Sequence, residues 1–518
     1  MRRLLVSALA LSCAAPAASS GRDAWRIEID SNAAGTPLSR ALLGHYDLSG
    51  ALFDYDSVPG LVATATAAGI AGADWRVGLG RWEAATQLLP SLTDGTPCPL
   101  PTPAAAAPPG ASDLDLIAAR DWFTDDGEPV TLADTADSSR YALAYARSAL
   151  DAALAFGATP YLSVDLMPRA LAVNRTPQRD DCLWTFENRV SNVRPADPAV
   201  FAAALIGALE RLRLGSDGET GRAFTHVELW NEPELPFFWD PAFEDGAGAL
   251  DRFFEMAITT LVALDAWRAA SPSPEIQALR FGLGSFAAAA TAVQVITAFD
   301  AAQLPSGAHV PLDFLSFHAY ADDPLAIATA VDSVRSARDA STNYTGLELA
   351  LAEWGPDLAA HASDPAWAAS IDAPLHAASV LALGAANLGR THRAILWDFY
   401  PNDLITLGIA DNAGAPKPLQ RAYVLLAGMI GEGTTLARAS VVSSPDGGAV
   451  LATRDAAGKL RVLFVNPSDG NRKAKVEIDG KKRLPSAVLV FDDPTAIVNA
   501  KPRKTLTLPP RSILVAEY

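Results

Sequence analysis

Short apolar runs alternate with longer amphipathic stretches between Asn32 and about residue 432. The short runs are typical of buried strands, and the longer ones repeat apolar residues every three or four positions, as helices do. Eight strand–helix units can be counted, and eight such units close into a (β/α)8 or TIM barrel of the α/β class. The predicted strands are Leu42–Tyr46, Gly72–Val77, Pro160–Leu166, Thr225–Trp230, Leu279–Leu283, Phe314–His318, Leu349–Glu353 and Ala394–Phe399. Among the predicted helices are Tyr141–Phe156, Phe201–Leu214, Leu250–Ala269 and His376–Leu388.

The pattern changes near residue 433 to short alternating strands, which predicts a C-terminal β-sandwich over 433–518. Its clearest strands are Arg461–Val465, Ala487–Phe491 and Ser512–Glu517. The strand-like segment Trp25–Ile29, within 23–32, precedes the barrel of 33–432 and is a candidate member of the same small domain. The chain shows no solenoid-type repeat.

A segment rich in proline and alanine, 90–113, interrupts the barrel pattern between the second strand and its helix. It predicts a loop insertion on the face where barrels carry their active sites. Such a loop either forms a wall of a substrate pocket or has no part in function, and both interpretations stay open.

Two glutamates occur at matching places in this pattern. Glu232 follows the fourth predicted strand in an Asn-Glu-Pro turn, and Glu353 ends the seventh. In a parallel barrel these places share one rim, and two carboxyl groups on one rim are the minimum needed to break a glycosidic bond. The alternative is that each glutamate is satisfied by a structural ion pair.

The segments around these glutamates resemble glycoside hydrolase family 39, the β-xylosidases and α-L-iduronidases, within a clan of retaining barrel glycosidases. Residues 230–235, Trp-Asn-Glu-Pro-Glu-Leu, and then Phe238-Trp239 look like that family's Trp-Asn-Glu-Pro-Asn-Leu and Phe-Trp segment. Further similar segments are 166–171 after the third strand, 313–318 at the sixth, Ala352–Trp354, and Lys417-Pro418 before the last helix. The likeness covers nearly the whole chain after residue 20.

The resemblance implies a double-displacement reaction without metal or cofactor. Glu353 would be the nucleophile and Glu232 the proton donor and then the base, with the two carboxyl groups about 5 to 5.5 Å apart. Asn231 is expected to bind the sugar 2-hydroxyl group, although a purely turn-forming role is open. Other candidates to contact the sugar or the nucleophile are His318, Tyr320, Trp397 and Arg76, each with a structural alternative. Trp354 is expected to lie in the core.

One position departs from the family. Its second strand typically reads Arg-x-His, whereas this chain has Arg76-Val77-Gly78, so a histidine expected to contact the sugar is missing. His45, at the end of the first predicted strand, is a candidate replacement. The departure affects the prediction of sugar specificity more than that of catalysis.

Composition sets the class of protein and partner. Half of the residues are hydrophobic and 19% are charged, which predicts a globular chain with a large core. A net charge of -18 without a basic stripe favours a neutral carbohydrate over nucleic acid or anionic membranes, although acidity for solubility explains it equally well. No segment offers about 20 uninterrupted apolar residues, so no membrane span is expected. The sequence leaves the oligomeric state open.

The first 20 residues predict a signal peptide and therefore a secreted or periplasmic protein: Met1-Arg2-Arg3, an apolar run, and small residues around Ala15-Pro16-Ala17. Cys13 loosely resembles a lipoprotein acylation site, which is the less favoured alternative. After export Cys98 and Cys182 would remain, either as one disulfide or as two thiols.

A retaining, β-xylosidase-like glycosidase is the function that these patterns favour. Another activity of the same clan is the nearest alternative: arabinosidase, glucuronidase or endo-glycanase. A noncatalytic carbohydrate-binding protein is the alternative from a different class. Sugar identity, anomer and exo or endo action depend on loops that these motifs do not define.

Overall fold

The computed structural model describes residues 25–30, 33, 35–46, 61–70, 72–80, 121–175, 192–216, 218–235, 238–240, 242, 250–361, 364–388, 393–396, 408–411, 414–443 and 448–518. Of residues 44–46, 61–62, 386–388, 393–396 and 440–443 it describes only the backbone. The structural statements that follow concern these parts of the chain.

Eight parallel strands of the described chain close into a barrel, with neighbours in sequence order and the last strand paired to the first. They are β1 (Gly44–Tyr46), β2 (Asp74–Gly78), β3 (Thr159–Val164), β4 (His226–Leu229), β5 (Arg280–Phe286), β6 (Phe314–Tyr320), β7 (Glu348–Gly355) and β8 (Arg393–Leu396). Strands β2 to β7, whose side chains are described, are almost fully buried because helices cover their outer faces, which explains the continuous apolar runs. The predicted barrel is confirmed.

A helix follows each barrel strand. These are α1 (Leu61–Ala67), α2 (Ala144–Ala155), α3 (Pro198–Leu214), α4 (Asp251–Ala270), α5 (Ala289–Ala301), α6 (Pro324–Ala340), α7 (Asp372–Leu388) and α8 (Pro418–Ala427). Shorter α-helices span Pro274–Gln277, Leu358–His361 and Pro365–Ala368, and 3₁₀ turns span Arg40–Leu43, Asp134–Ala136, Ser138–Arg140 and Arg169–Leu171. Side-chain caps fix several starts: Asp197 and Asp323 each accept backbone N–H bonds just before a proline.

The first strand starts later than its apolar pattern predicts. Leu42 and Leu43 lie in a 3₁₀ turn, and β1 begins at Gly44. The Ser39 hydroxyl accepts the N–H of Ala41, and the Ser39 carbonyl accepts the N–H of Leu42. These local bonds give the backbone an alternative to the strand ladder, although both leucines are buried as expected of the pattern.

The small domain contains two packed sheets. One holds Ala439–Ser443, Trp25–Ile29, Arg472–Ile478 and Lys481–Lys482, with Leu506–Leu508 also paired to Arg472–Ile478. The other, in spatial order, holds Ala496–Asn499, Ala487–Asp493, Ser512–Glu517, Leu460–Asn466, Ala449–Arg454, Thr435–Leu436 and Thr36–Pro37. Trp25–Ile29 thus lies between two strands from the far end of the chain, parallel to one and antiparallel to the other.

The second sheet is buried on both faces. From Leu460–Asn466, Val462 and Phe464 join the core between the two sheets, whereas Leu463 and Val465 join the core shared with the barrel. Helix α7 packs against this second face. One face of the second sheet therefore shares a continuous hydrophobic core with the barrel, whereas the two sheets enclose a second core between them.

The distribution of charge differs from the even spread that composition suggested. Seven of the eight lysines lie beyond residue 433, in the small domain. Lys481 and Lys482 form an exposed strand at the edge of the first sheet. Lysine on an edge strand opposes pairing with another chain, which gives a physical reason for this cluster.

Several predictions lie outside the described residues: the signal peptide over 1–20, Cys13, the insertion over 90–113, and the pairing of Cys98 with Cys182. Among the described helices, none is both long and apolar enough to cross a membrane.

Candidate active site

Glu232 and Glu353 lie on one rim of the barrel, at the carboxyl ends of β4 and β7. Glu353 pairs with His318 of β6 in the parallel register. Glu232 follows β4, and its backbone N–H donates to the carbonyl of Ser285 in β5 at 2.9 Å. One carboxyl oxygen of Glu232 lies within 4.8 Å of one of Glu353. The two groups can therefore reach a single ligand atom held between them.

The turn that carries Glu232 has a strained backbone. Trp230 and Glu232 have φ angles of 74° and 40°, a region that costs a non-glycine residue about 1 to 3 kcal/mol. The buried Trp230 indole donates to the carbonyl of Phe238 at 2.8 Å and packs edge to face on Trp239. These contacts hold the turn in the conformation that directs Glu232 to the rim.

Arg76, on β2, links the two glutamate-bearing strands. It is fully buried, and its Nη1 donates to Glu353 at 2.5 Å. Its Nη2 donates to the Oδ1 atom of Asn231 at 2.9 Å, so Asn231 can reach a ligand through its amide nitrogen. The position of Arg76 is the one expected of a cation that keeps the Glu353 carboxylate ionised.

Glu228, in the interior of β4, is the second buried partner of Arg76. Its Oε1 atom accepts from Nη2 at 2.6 Å and from Nε at 3.0 Å, and its Oε2 atom accepts the Tyr161 hydroxyl at 2.5 Å. Burial opposes ionisation of Glu228, but Arg76 and the surrounding hydroxyl donors outweigh it and hold its pKa below the ordinary value. Glu228 is therefore an ionised carboxylate inside the barrel.

The surroundings of Glu232 favour its protonated form. Burial raises its pKa to about 7, against the opposing charge of Arg76. The Nδ1 atom of His318 lies 2.7 Å from its Oε1 atom. Burial lowers the pKa of His318, so this imidazole is neutral and adds no positive charge near Glu232.

Glu353 has more compensating partners. Burial raises its pKa as well, but the guanidinium charge of Arg76 opposes this. The Tyr320 hydroxyl, whose pKa burial raises well above the ordinary value, remains protonated and donates to Oε2 at 2.6 Å. A direct guanidinium and a hydroxyl donor stabilise the ionised form of Glu353 against this burial.

Glu232, His318 and Glu353 also form a cluster in which one possible metal-ligand atom from each lies within 4.8 Å of the others. Arg76 already places a positive charge against Glu353, and a dication there would be repelled by it. The arrangement therefore suits proton transfer and charge stabilisation better than metal ligation.

Two of the residues proposed from sequence fall outside the described side chains: Trp397 lies outside the described residues, and only the backbone of His45 is described, in β1. Trp354 is completely buried in the core, as expected.

The sequence pattern missed the polar cradle around Arg76, formed by Glu228, Tyr161, Ser163 and Ser285. Ser163 and Ser285 bond the same Nη2 atom at 3.1 and 2.9 Å. A signal was present, because Glu228 interrupts the apolar run Val227–Leu229 in the middle of a buried strand. A charge at such a position requires a buried partner.

No protein-family model and no curated protein matches the sequence. Solved structures match along almost the whole chain. A glucosidase from Croceicoccus marinus is 15% identical with a TM-score of 0.60, covering 95% of this chain and 98% of its own. A GH39 β-xylosidase from Caulobacter crescentus is 17% identical with a TM-score of 0.59, covering 95% and 99%. A GH51 α-L-arabinofuranosidase from Thermotoga petrophila is 13% identical with a TM-score of 0.58, covering 95% and 100%. The chain shares the fold of these structures.

Proposed function

We propose that this chain is a retaining glycosidase that works by double displacement. The observation that carries the proposal is the pair of rim carboxyl groups, which have oxygens within 4.8 Å of each other. Retaining glycosidases hold their two carboxyl groups about 5 to 5.5 Å apart, whereas inverting ones leave about 6.5 to 9.5 Å for a water molecule. The short separation favours direct attack by one of the two carboxylates.

The different surroundings of the two glutamates support their separate roles. Glu353, against Arg76, is the nucleophile that attacks the anomeric carbon. Glu232, with a pKa of about 7, gives its proton to the departing oxygen. Once Glu353 is esterified its negative charge is gone, so the pKa of Glu232 falls and it becomes the base that activates water.

Three neighbours support this reaction. Tyr320 donates to Glu353 and can hold the carboxylate in the attacking orientation. The His318 imidazole is hydrogen-bonded to Glu232 and orients this acid. Asn231, fixed by Arg76, is positioned to donate to the sugar 2-hydroxyl, a bond that strengthens in the transition state.

A neutral pentoside, β-xyloside in particular, is the proposed substrate. A uronic acid needs a cation for its carboxylate, but the two arginines at the motif positions, Arg76 and Arg169, are paired. Arg76 is bound by Glu228 and Glu353, and Arg169 lies 3.2 Å from Asp125. The fold similarity to a GH39 β-xylosidase supports the xyloside.

Arabinosidase action is the second candidate, because the similarity to a GH51 α-L-arabinofuranosidase has nearly the same TM-score. Endo-glycanase action depends on the loops that border a substrate site. A noncatalytic carbohydrate-binding protein would not need a carboxyl group with a pKa near 7 beside an arginine-bound carboxylate.

The test is a panel of aryl glycosides, with the anomer of the first product followed by NMR. We expect a β-xyloside to be the best substrate and the first product to retain its configuration. Glu353→Ala should abolish turnover, whereas Glu232→Ala should spare only substrates whose leaving groups need no proton. An inverted first product, or equal loss on activated and unactivated substrates in Glu232→Ala, would contradict the proposal.

A further inference from the structure

Glu228 is a buried carboxylate that neither step of the proposed reaction uses. It lies in β4, four residues before Glu232 in the chain, and has no exposed surface. Polar groups from four other barrel strands surround it: Arg76 of β2, Tyr161 and Ser163 of β3, Ser285 of β5, and Ser316 of β6. Its direct contacts are with the protein interior, and its ion-pair partner Arg76 is the group that connects it to the rim carboxylate Glu353.

The hydrogen bonds of Arg76 leave from two edges of its planar guanidinium group. Nε and Nη2 both donate to the Oε1 atom of Glu228, and Nη1 donates to Glu353. Because the guanidinium group is planar, fixing Nε and Nη2 also fixes the direction of Nη1. Glu228 therefore determines how Arg76 meets Glu353.

The charges near the rim depend on the same contact. Arg76 contributes one positive charge close to Glu353 and Glu232, and ionised Glu228 contributes one negative charge behind it. Asp165 lies 3.6 Å from Nη2 and also accepts the Ser163 hydroxyl. Without Glu228, the positive charge of Arg76 would be offset only by the more distant Asp165 and would favour the ionised forms of both rim carboxyl groups more strongly.

We propose that Glu228 is a positioning residue for the proposed glycosidase reaction: as the buried counter-ion of Arg76, it directs the guanidinium to Glu353 and sets the pH range in which Glu232 keeps its proton. This inference rests on the proposed function. Glu228 would not contact the sugar, yet it controls the protonation of the acid Glu232 at the rim.

The test is the pH dependence of kcat/KM for an unactivated aryl glycoside in Glu228→Gln. The variant keeps the shape of the side chain and removes its charge. We expect the alkaline limb, where Glu232 loses its proton, to move to lower pH by roughly one unit. We also expect kcat to fall about ten- to a hundredfold, because Arg76 is less firmly held.

Two further variants separate charge from packing. Ser163→Ala removes the hydrogen bonds of this hydroxyl with Arg76, Glu228 and Asp165 without changing charge, and its alkaline limb should remain where the wild-type limb is. Glu228→Asp keeps the charge and should also keep the wild-type limb while lowering kcat. It tests the inference even if Glu228→Gln fails to fold, since a displaced limb in Glu228→Asp overturns it.

An unmoved limb in Glu228→Gln, or an equal displacement in Ser163→Ala, overturns the inference while leaving the proposed function intact. A wild-type chain that hydrolyses no glycoside and takes no label from an activated 2-fluoro glycoside overturns the proposed function. In that case the titration of the Glu232 carboxyl carbon, followed by ¹³C NMR, decides the charge argument. The same displacement to lower pH is expected there, and its absence overturns the inference.

Discussion

Glu232 is held where an ionised carboxyl group is unfavourable, and this has a consequence for stability as well as for chemistry. Its pKa of about 7 lies above the ordinary value of 4.5, so the folded state binds the proton more tightly than the unfolded state does. The stabilisation that this tighter proton binding gives the folded state is therefore fully present below the ordinary pKa of 4.5, and it is lost as the pH rises toward and through 7. The loss is at most about 3 kcal/mol at pH 8.

We therefore expect Glu232→Gln to be more heat-resistant than the wild-type protein at pH 8 but not at pH 5. The amide does not ionise, so it avoids the cost that the carboxylate bears at the higher pH. Melting temperatures at both pH values measure the effect, which should be a few degrees. Glu255→Gln, on the exposed face of α4, is the control and should behave alike at both pH values. An equal advantage at pH 5 and pH 8 would refute the explanation.

At this scale the sequence predicted Glu232, Glu353 and Arg76 because each lies at or near a strand end, where barrel chemistry occurs. It also placed Tyr320 beside Glu353 as a candidate partner. It missed Glu228, whose role depends on its ion pair with Arg76, 152 positions away in the chain. Partners so distant are chosen by strand order and register, which local patterns do not contain.

At the scale of elements, the turn after β4 determines where the acid lies. Trp230 holds this turn through one indole hydrogen bond and one edge-to-face contact. The strain at Trp230 and Glu232 persists only because these buried contacts outweigh it.

Trp230→Phe should therefore harm activity more than binding. It removes the indole hydrogen bond to the Phe238 carbonyl, which costs about 0.5 to 1.5 kcal/mol of stability. A displaced Glu232 should lower kcat about ten- to a hundredfold with little change in KM. Trp267→Phe, on α4 against Phe281, is the control and should lower stability without this separation. A change confined to KM would contradict the role given to the turn.

The eight strands and their helices were predictable because burial on both faces leaves continuous apolar runs, and helices leave a period near 3.6. The exact ends of these strands and helices were less predictable. The first strand was predicted from Leu42, yet the hydrogen bonds of Ser39 hold Arg40–Leu43 in a 3₁₀ segment.

For the whole molecule, the continuous core predicts cooperative unfolding. Leu463 and Val465 of the small domain pack with the barrel core, and α7 joins the two. Trp25 lies in the other core of the small domain, 1% exposed and in contact with Phe464.

Trp25→Ala should lower the stability of the whole chain by about 3 to 5 kcal/mol. Because the cores adjoin, calorimetry should show one transition at a lower temperature. Arg26→Ala, on the same strand but facing solvent, is the matched control and should have little effect. A separate early transition for the small domain would show that the two parts unfold independently.

The strand Trp25–Ile29 also imposes an order on biosynthesis. Its parallel partner, which includes Ala474, is translated about 450 residues later. At about 5 to 20 residues per second the strand waits roughly 20 to 90 s for that partner. All eight barrel strands leave the ribosome during this interval, so the barrel can close first. The earliest-made strand is then among the last to find its place, and until then its apolar side chains are available to a chaperone.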